Sequence, residues 1–265
     1  MAALSWTLDD PFGPRERHGV ELGLVKLLVL RAGDAAAPVA ARRGEFFSWI
    51  RREAEQVWGG AWEEHDVRNM DVPLPRPGDA DGFVITGSSS SVTERADWML
   101  RAEALIRAIH DTKVPLFGIC FGHQLIGQAL GGMVARNSKG REIGTVEVRV
   151  RDGAHDDPIL DGLPRAFAAN ATHVDSVVTL PPGATLLAET DLEAHAIFAV
   201  GETTKCVQFH PEIDGDAMRG YVDARAHLVS AEGLDAQAIR ERSVDAPHGA
   251  ETLRNFVRFV HRFRR

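Results

Sequence analysis

Val114-Pro115-Leu116-Phe117-Gly118-Ile119-Cys120-Phe121-Gly122-His123-Gln124 decides the reading of this chain. An apolar stretch from Val114 to Ile119 runs straight into a helix-like segment that opens near Phe121, so the pattern is strand, sharp turn, helix. That is the geometry of a nucleophile elbow. Such a turn forces its central residue into a strained backbone conformation, and Gly118 and Gly122 remove the Cβ atoms that would collide there. Cys120 is therefore expected to be presented, not buried. The helix behind it aims unpaired N–H groups and a positive dipole end at the sulfur, which favours thiolate over thiol. Alone, G-x-C-x-G is equally the pattern of a buried cysteine between two turn glycines.

Ninety residues further on the chain reads Cys206-Val207-Gln208-Phe209-His210-Pro211-Glu212, an apolar strand ending in a histidine with a carboxylate two positions later. A thiolate acyl-transfer enzyme needs both. His210 is placed to take the thiol proton and return it to a leaving amine, while Glu212 orients the imidazole and stabilises the imidazolium. Pro211 stiffens the turn between them. A lone His-Pro-Glu is usually a solvated strand end; the cysteine elbow upstream gives this one its weight.

GICFGHQLIGQALGG and QFHPE together resemble the class I glutamine amidotransferases, the triad-type glutaminases, and the resemblance runs from about Lys26 to Glu212. The chain is similar to stand-alone members, to the glutaminase domain of GMP synthase, and to plant γ-glutamyl peptidases, which share GICFGHQ, H-x-D-x-V and F-x-x-HPE patterns. The resemblance implies that Cys120 is the nucleophile forming a γ-glutamyl thioester, His210 the base and acid, and Glu212 its orienter. It also implies an oxyanion hole: the strand Asp81 to Thr86 runs into Gly87-Ser88-Ser89-Ser90-Ser91, where the family places one N–H donor. By position that donor is Ser88, with Gly87 allowing the turn, and the second is the backbone of Phe121. The commoner form of this loop is Gly-Gly-Pro, so a preformed hole is not implied. Gln124 matches a position that contacts the glutamyl portion, and Thr172-His173-Val174-Asp175 matches a segment whose backbone, at Val174 and Asp175, holds the same group; an ordinary polar loop reads the same way. Lys139-Gly140-Arg141-Glu142-Ile143-Gly144 either reaches the pocket or only turns the chain.

Composition agrees with a soluble enzyme. At 265 residues, 44% hydrophobic and 26% charged, the chain can bury one substantial α/β core. Two cysteines and no secretory signal argue for a reducing, cytoplasmic setting, with Cys206 an inert core thiol. The net charge is −8 and no basic stretch is interleaved with aromatics, which excludes a nucleic-acid footprint. The run Leu22 to Leu30 is broken by Gly23 and Lys26 and is too short for a membrane span. No metal-ligand cluster, phosphate loop or repeat is present, so neither metal nor cofactor is expected.

Residues 1–24 read as a loosely attached arm and 25–265 as one domain. Strands are expected at Lys26 to Leu30, Trp62 to Arg68, Gly82 to Thr86 and Val114 to Ile119, with helices at Glu45 to Val57, Glu94 to His110 and behind Cys120. That alternation predicts a doubly wound, mostly parallel, flavodoxin-like sheet with its site at the strand carboxyl ends. From Met133 to Phe209 short strands, among them Thr145 to Val150 and Ala196 to Val200, suggest a small antiparallel extension. A helical insert at about 214–245, offering Met218, Tyr221, Val222 and Leu228 for burial, precedes a final helix over Glu251 to Phe263.

Three functions fit. The chain is a stand-alone hydrolase of glutamine or a γ-glutamyl compound, a glutaminase subunit passing ammonia to a separate synthetase, or a non-catalytic binding or regulatory protein on the same fold; the intact triad argues against the last. An α/β-hydrolase of the dienelactone type also uses G-x-C-x-G, but would not carry Glu at His plus two.

Overall fold

β1 (Lys26–Arg31) sends Leu27 and Val29 to one side and Leu28 and Leu30 to the other, and all four are buried. A strand apolar on both faces demands layers above and below it, which is the condition for a parallel sheet wrapped by helices. The computed structural model describes residues 25–263; the arm expected over 1–24, and Arg264 and Arg265, lie outside the described residues.

After β1 come α1 (Ala37–Arg43), α2 (Phe46–Ala54), β2 (Ala61–Asp66), β3 (Gly82–Ile85), α3 (Asp97–Asp111), β4 (Leu116–Ile119) and α4 (Phe121–Ala129). The second half runs through β5 (Met133–Arg136), β6 (Glu142–Val150), β7 (Ala166–His173), β8 (Asp175–Thr179), β9 (Ala184–Glu189), β10 (Ile197–Val200) and β11 (Thr204–Val207). It closes with α5 (Gly215–Ala231), α6 (Ala236–Arg242) and α7 (Pro247–Phe263). Nine strands form one sheet in the order β2-β1-β3-β4-β11-β10-β9-β6-β7. The first five are parallel, with the 2-1-3-4 start of a flavodoxin-like winding. From β10 outward every pairing is antiparallel, so the expected extension continues the main sheet, while β5 and β8 pair separately.

Two cores lie on the two faces. One gathers Trp49, Ile50, Phe117, Val207, Phe256 and Val260 beneath α2, α5 and α7, and Phe117 stacks on Phe256 at 4.9 Å. The other gathers Phe83, Ile85, Leu105, Ile106, Leu125 and Cys206 beneath α3 and α4. α1 is absent from the sequence reading because it buries only Val39 and so shows no helical period. α7 starts at Pro247, not at Glu251: proline suits a first helical turn, and Gly249 packs against Ala169. Within α5, Met218, Tyr221 and Val222 are buried as expected, but Leu228 is 42% exposed. No helix of the described residues is long and apolar enough to cross a membrane.

Gly122 fixes how closely α4 approaches the sheet. A Cβ there would stand 2.5 Å from the backbone carbonyl oxygen of Ile85. Gly122→Ala gains about 1 kcal/mol of helix propensity, yet backbone cannot yield as a flexible side chain does, and overpacking of this kind costs about 1–3 kcal/mol. The expected net result is a lower urea midpoint at unchanged m-value; a midpoint at or above the parent's would show that the contact relaxes freely.

Candidate active site

Cys120 joins β4 to α4 with φ 52° and ψ −102°, a conformation outside the usual left-handed well. Two bonds hold it there. Its N–H donates to Val207 O at 2.9 Å, continuing the β4–β11 ladder, and its carbonyl accepts from Gln124 N at 3.1 Å, closing the first turn of α4. Phe121 is the first residue of that helix, so its N–H is one of the donors a helix leaves unpaired at its start.

The parallel pairing of β4 and β11 brings the two motifs together. Three residues past β11, His210 is held by its own N–H, which donates to Asn170 O at 2.8 Å. Its ring stacks nearly parallel to Phe46 at 6.0 Å and has Tyr221 at 6.5 Å. Nδ1 bonds Glu212 Oε1 at 2.7 Å, which leaves Nε2 for the thiol. Glu212 is buried, and its Oε2 has no hydrogen-bond partner among the described residues. Gly87 is required by this arrangement, since a Cβ on it would meet His210 Cε1 at 2.7 Å. Asn170 also donates to Ile213 O at 2.9 Å and to Val244 O at 3.2 Å, fastening the turn after the dyad.

Contrary to the expectation of a presented thiol, Cys120 is buried, only 5% exposed. Arg225 and Leu228 of α5 and the segment 172–175 form walls of a half-open cavity of about 300 Å³ that Cys120 also lines. Ser88, Gln124, Val174 and Asp175 line that cavity, together with Arg141, Thr172, Arg225 and Leu228. The expected site residues thus converge, and Leu228 is exposed because it stands at this wall instead of in the core. Gln124 Nε2 is committed to Asp175 O at 2.8 Å and Gln208 Oε1 at 3.1 Å, so only its Oε1 remains open to a ligand. The Asp175 carboxylate accepts from Ser91 Oγ, tying the serine loop to the opposite segment.

Burial opposes ionisation of Cys120, but the charge of His210, its hydrogen bond to the sulfur and the charge of His173 outweigh it and hold the thiol below its ordinary range. For His210, burial favours the neutral ring, and Glu212 with the Cys120 thiolate reverses that, raising its pKa. The favoured state is a thiolate beside an imidazolium. His173 is also charged on geometric grounds. Its Nδ1 faces the acceptor Asp175 O and its Nε2 faces Glu142 Oε2, each at 3.0 Å, so both nitrogens donate. Burial works against that charge, and the Glu142 hydrogen bond and the Glu142 and Glu193 carboxylates sustain it.

The sequence profile described as Glutamine amidotransferase class-I matches residues 62–222. The chain belongs to the class I glutamine amidotransferases. Gamma-glutamyl peptidase 3 of Arabidopsis thaliana is 32% identical over 177 residues, covering 63% of this chain and 70% of the relative. A glutamine-hydrolyzing GMP synthase subunit of Archaeoglobus fulgidus is 36% identical over 143 residues, covering 54% and 72%. The crystal structure of a glutamine amidotransferase from Thermotoga maritima shares the fold at TM-score 0.67 and 19% identity, covering 90% of this chain and 97% of that one.

Of the two readings of the Lys139 to Gly144 turn, the structure bears out the first, while Glu193 and Arg225 of this amidotransferase escaped the sequence reading. Arg141 and Glu142 lie in the Lys139 to Gly144 turn, and both reach the site: Arg141 lines the cavity and Glu142 bonds His173. Glu193 gave no signal, because its partner Ser176 and neighbour His173 meet it only through folding. Arg225 sits on an amphipathic helix, where arginine normally reads as solvated.

The lowered thiol pKa makes a sign-definite prediction. A thiol whose pKa lies below its ordinary value keeps more thiolate at neutral pH than free cysteine does and loses reactivity as pH falls through the shifted value. Between pH 8 and pH 7 the thiolate fraction of free cysteine falls about eightfold. Iodoacetamide labelling of Cys120 should fall by clearly less, and Cys206, wholly buried with its pKa pushed well up by burial, should stay unlabelled in the native protein. Labelling of Cys120 in step with free cysteine would contradict the ion pair.

Proposed function

We propose that this amidotransferase hydrolyses a γ-glutamyl amide, either glutamine or a γ-glutamyl compound, through a thioester on Cys120, acting as a stand-alone enzyme without metal or cofactor. The observation that carries the reading is a strained cysteine elbow that lines a cavity beside a buried histidine oriented by a carboxylate at 2.7 Å. Cys120 Sγ attacks the γ-carbonyl carbon, forming a C–S bond and an oxyanion. The backbone N–H groups of Ser88 and Phe121 stabilise that oxygen. His210 Nε2 then gives its proton to the leaving nitrogen as the C–N bond breaks. In the second half His210 takes a proton from water, hydroxide attacks the thioester, and glutamate leaves with the thiolate restored. Gln124 Oε1, with Val174 and Asp175 opposite it, is suited to the α-ammonium end of the glutamyl group, and Gly87 keeps the base in place.

The second reading, a glutaminase serving a separate synthetase, draws on the Archaeoglobus fulgidus relative, whose name makes it one subunit of a GMP synthase. Against it, this chain's own α5 already supplies a wall of the cavity through Arg225 and Leu228. Purified protein given glutamine, glutathione and γ-glutamyl dipeptides without ATP should release or cleave off glutamate. Inactivity on the whole panel until a second protein is added, with Cys120 shown to be reduced, would favour the glutaminase serving a synthetase.

Substitutions divide the assigned roles. Cys120→Ala should abolish turnover with folding intact, and Cys206→Ser should retain most of it. His210→Ala should cost more than Glu212→Gln, since the amide keeps a hydrogen bond to Nδ1 and loses mainly charge stabilisation. Steady-state kcat/KM decides: activity of Cys120→Ala equal to the parent's would remove the thiol from the mechanism.

A further inference from the structure

Arg225 is a wall residue of the cavity whose charge the mechanism above leaves unused. Its side chain is half-buried, and Nη1 is buried without a hydrogen-bond acceptor among the described residues. Nearby acids are committed elsewhere: Asp216 to Arg43, Asp223 to Arg240, and Glu232 to Arg141 through bonds of 2.8 and 3.0 Å. Arg141 is thereby neutralised where it lines the cavity, and Arg225 is not. A buried guanidinium nitrogen without an acceptor is costly unless an anion completes it.

Its position says which anion. Tyr221, Arg225 and Leu228 are spaced by four and three residues and so share one stripe of α5. The Arg225 guanidinium carbon lies 4.7 Å above the Tyr221 ring, and that ring lies 6.5 Å from His210. Arg225 is thereby linked through the Tyr221 ring to His210, the group from which a leaving amine must collect its proton. The candidate contacts for the glutamyl end, Gln124, Val174 and Asp175, come from other elements. We propose that Arg225 is a carboxylate subsite for the leaving group, so that the preferred substrates are γ-glutamyl amino acids or peptides whose released amine carries a nearby carboxylate, in preference to glutamine. This rests on the hydrolase reading above. A planar guanidinium pairs with a carboxylate through two parallel bonds, and Leu228 offers an apolar surface for the side chain between. Burial lowers the pKa of Arg225, the nearby Tyr221 and the Cys120 thiolate work against that lowering, and Arg141 adds to it.

The test compares γ-glutamylglycine with γ-glutamylmethylamide, which differ by that carboxylate. In the parent, kcat/KM should favour the glycine compound; in Arg225→Gln the ratio should fall about 10- to 100-fold, the range for losing a charge-assisted bond. A ratio is insensitive to the fraction of protein folded. Arg225→Lys should give an intermediate ratio. An unchanged ratio, including one from equal losses on both compounds, overturns the subsite and assigns the charge to the thiolate or the glutamyl carboxylate. Calorimetry on Cys120→Ala reads the same preference without turnover, and it should vanish in Cys120→Ala with Arg225→Gln. Preferential binding by a protein that hydrolyses nothing retires the hydrolase reading and keeps the subsite. Hydrolysis of both compounds without preference, or no binding preference, retires the subsite alone.

Discussion

The bond from Cys120 N–H to Val207 O ties together the ends of two parallel strands, and nearly everything at the site follows from that alignment. With Val207 opposite Ile119, the chain leaving β4 and the chain leaving β11 emerge side by side at the carboxyl end of two central strands. One strand hands over a thiol at the start of a helix; the other hands over an imidazole three residues later. Side chains alternate faces with a period of two, so a slip of one residue would drive Cys206 out of its core and turn the reactive groups apart. The left-handed turn at Cys120 is stable only because pairing on one side and helix on the other leave the backbone no alternative.

A cluster of buried charge surrounds this end. His173 stands directly opposite Glu142 in the β6–β7 register, and Glu193 approaches its other nitrogen to 3.9 Å. Thr190 and Ser176 donate to the same carboxylates, so the desolvated acids are satisfied from several directions. Removing one member of such a set costs more than the pair contributes, because its partner is left charged and dry. The arrangement therefore acts as a rigid frame for Thr172 to Asp175, whose carbonyl groups face the thiol and Gln124.

What was legible in the sequence was what is local along it. The elbow declares itself through two glycines flanking a cysteine, the dyad through His210 and Glu212 in one turn, and the parallel strands through continuous apolar runs. What was not legible depends on distant segments. Cys120 is buried beside a cavity that α5 helps to wall, and α5 begins some hundred residues later and shows only a generic amphipathic pattern. Glu142 and His173 are neighbours solely because β6 and β7 pair in one register, and nothing in either stretch names the other. α1, with a single buried side chain, lacks the periodicity that marks a helix. Leu228 looked like core because an apolar residue at helical spacing reads the same whether it meets a sheet or a cavity.

Asn170 carries a consequence for how the molecule comes apart. One buried amide on β7, in the antiparallel half, receives the N–H of His210 on its backbone oxygen while its side chain grips Ile213 and Val244. The thiol belongs to the parallel half, whose strands have two covered faces; its counterpart is moored to the outermost strand of the sheet. Opening below global unfolding takes the less stable units first, and an outermost strand is paired on one side only. Fraying at β7 would release the imidazole and leave the sulfur's turn untouched, so heating should silence the protein while most of its far-ultraviolet dichroism persists, the thiol by then resembling an ordinary cysteine.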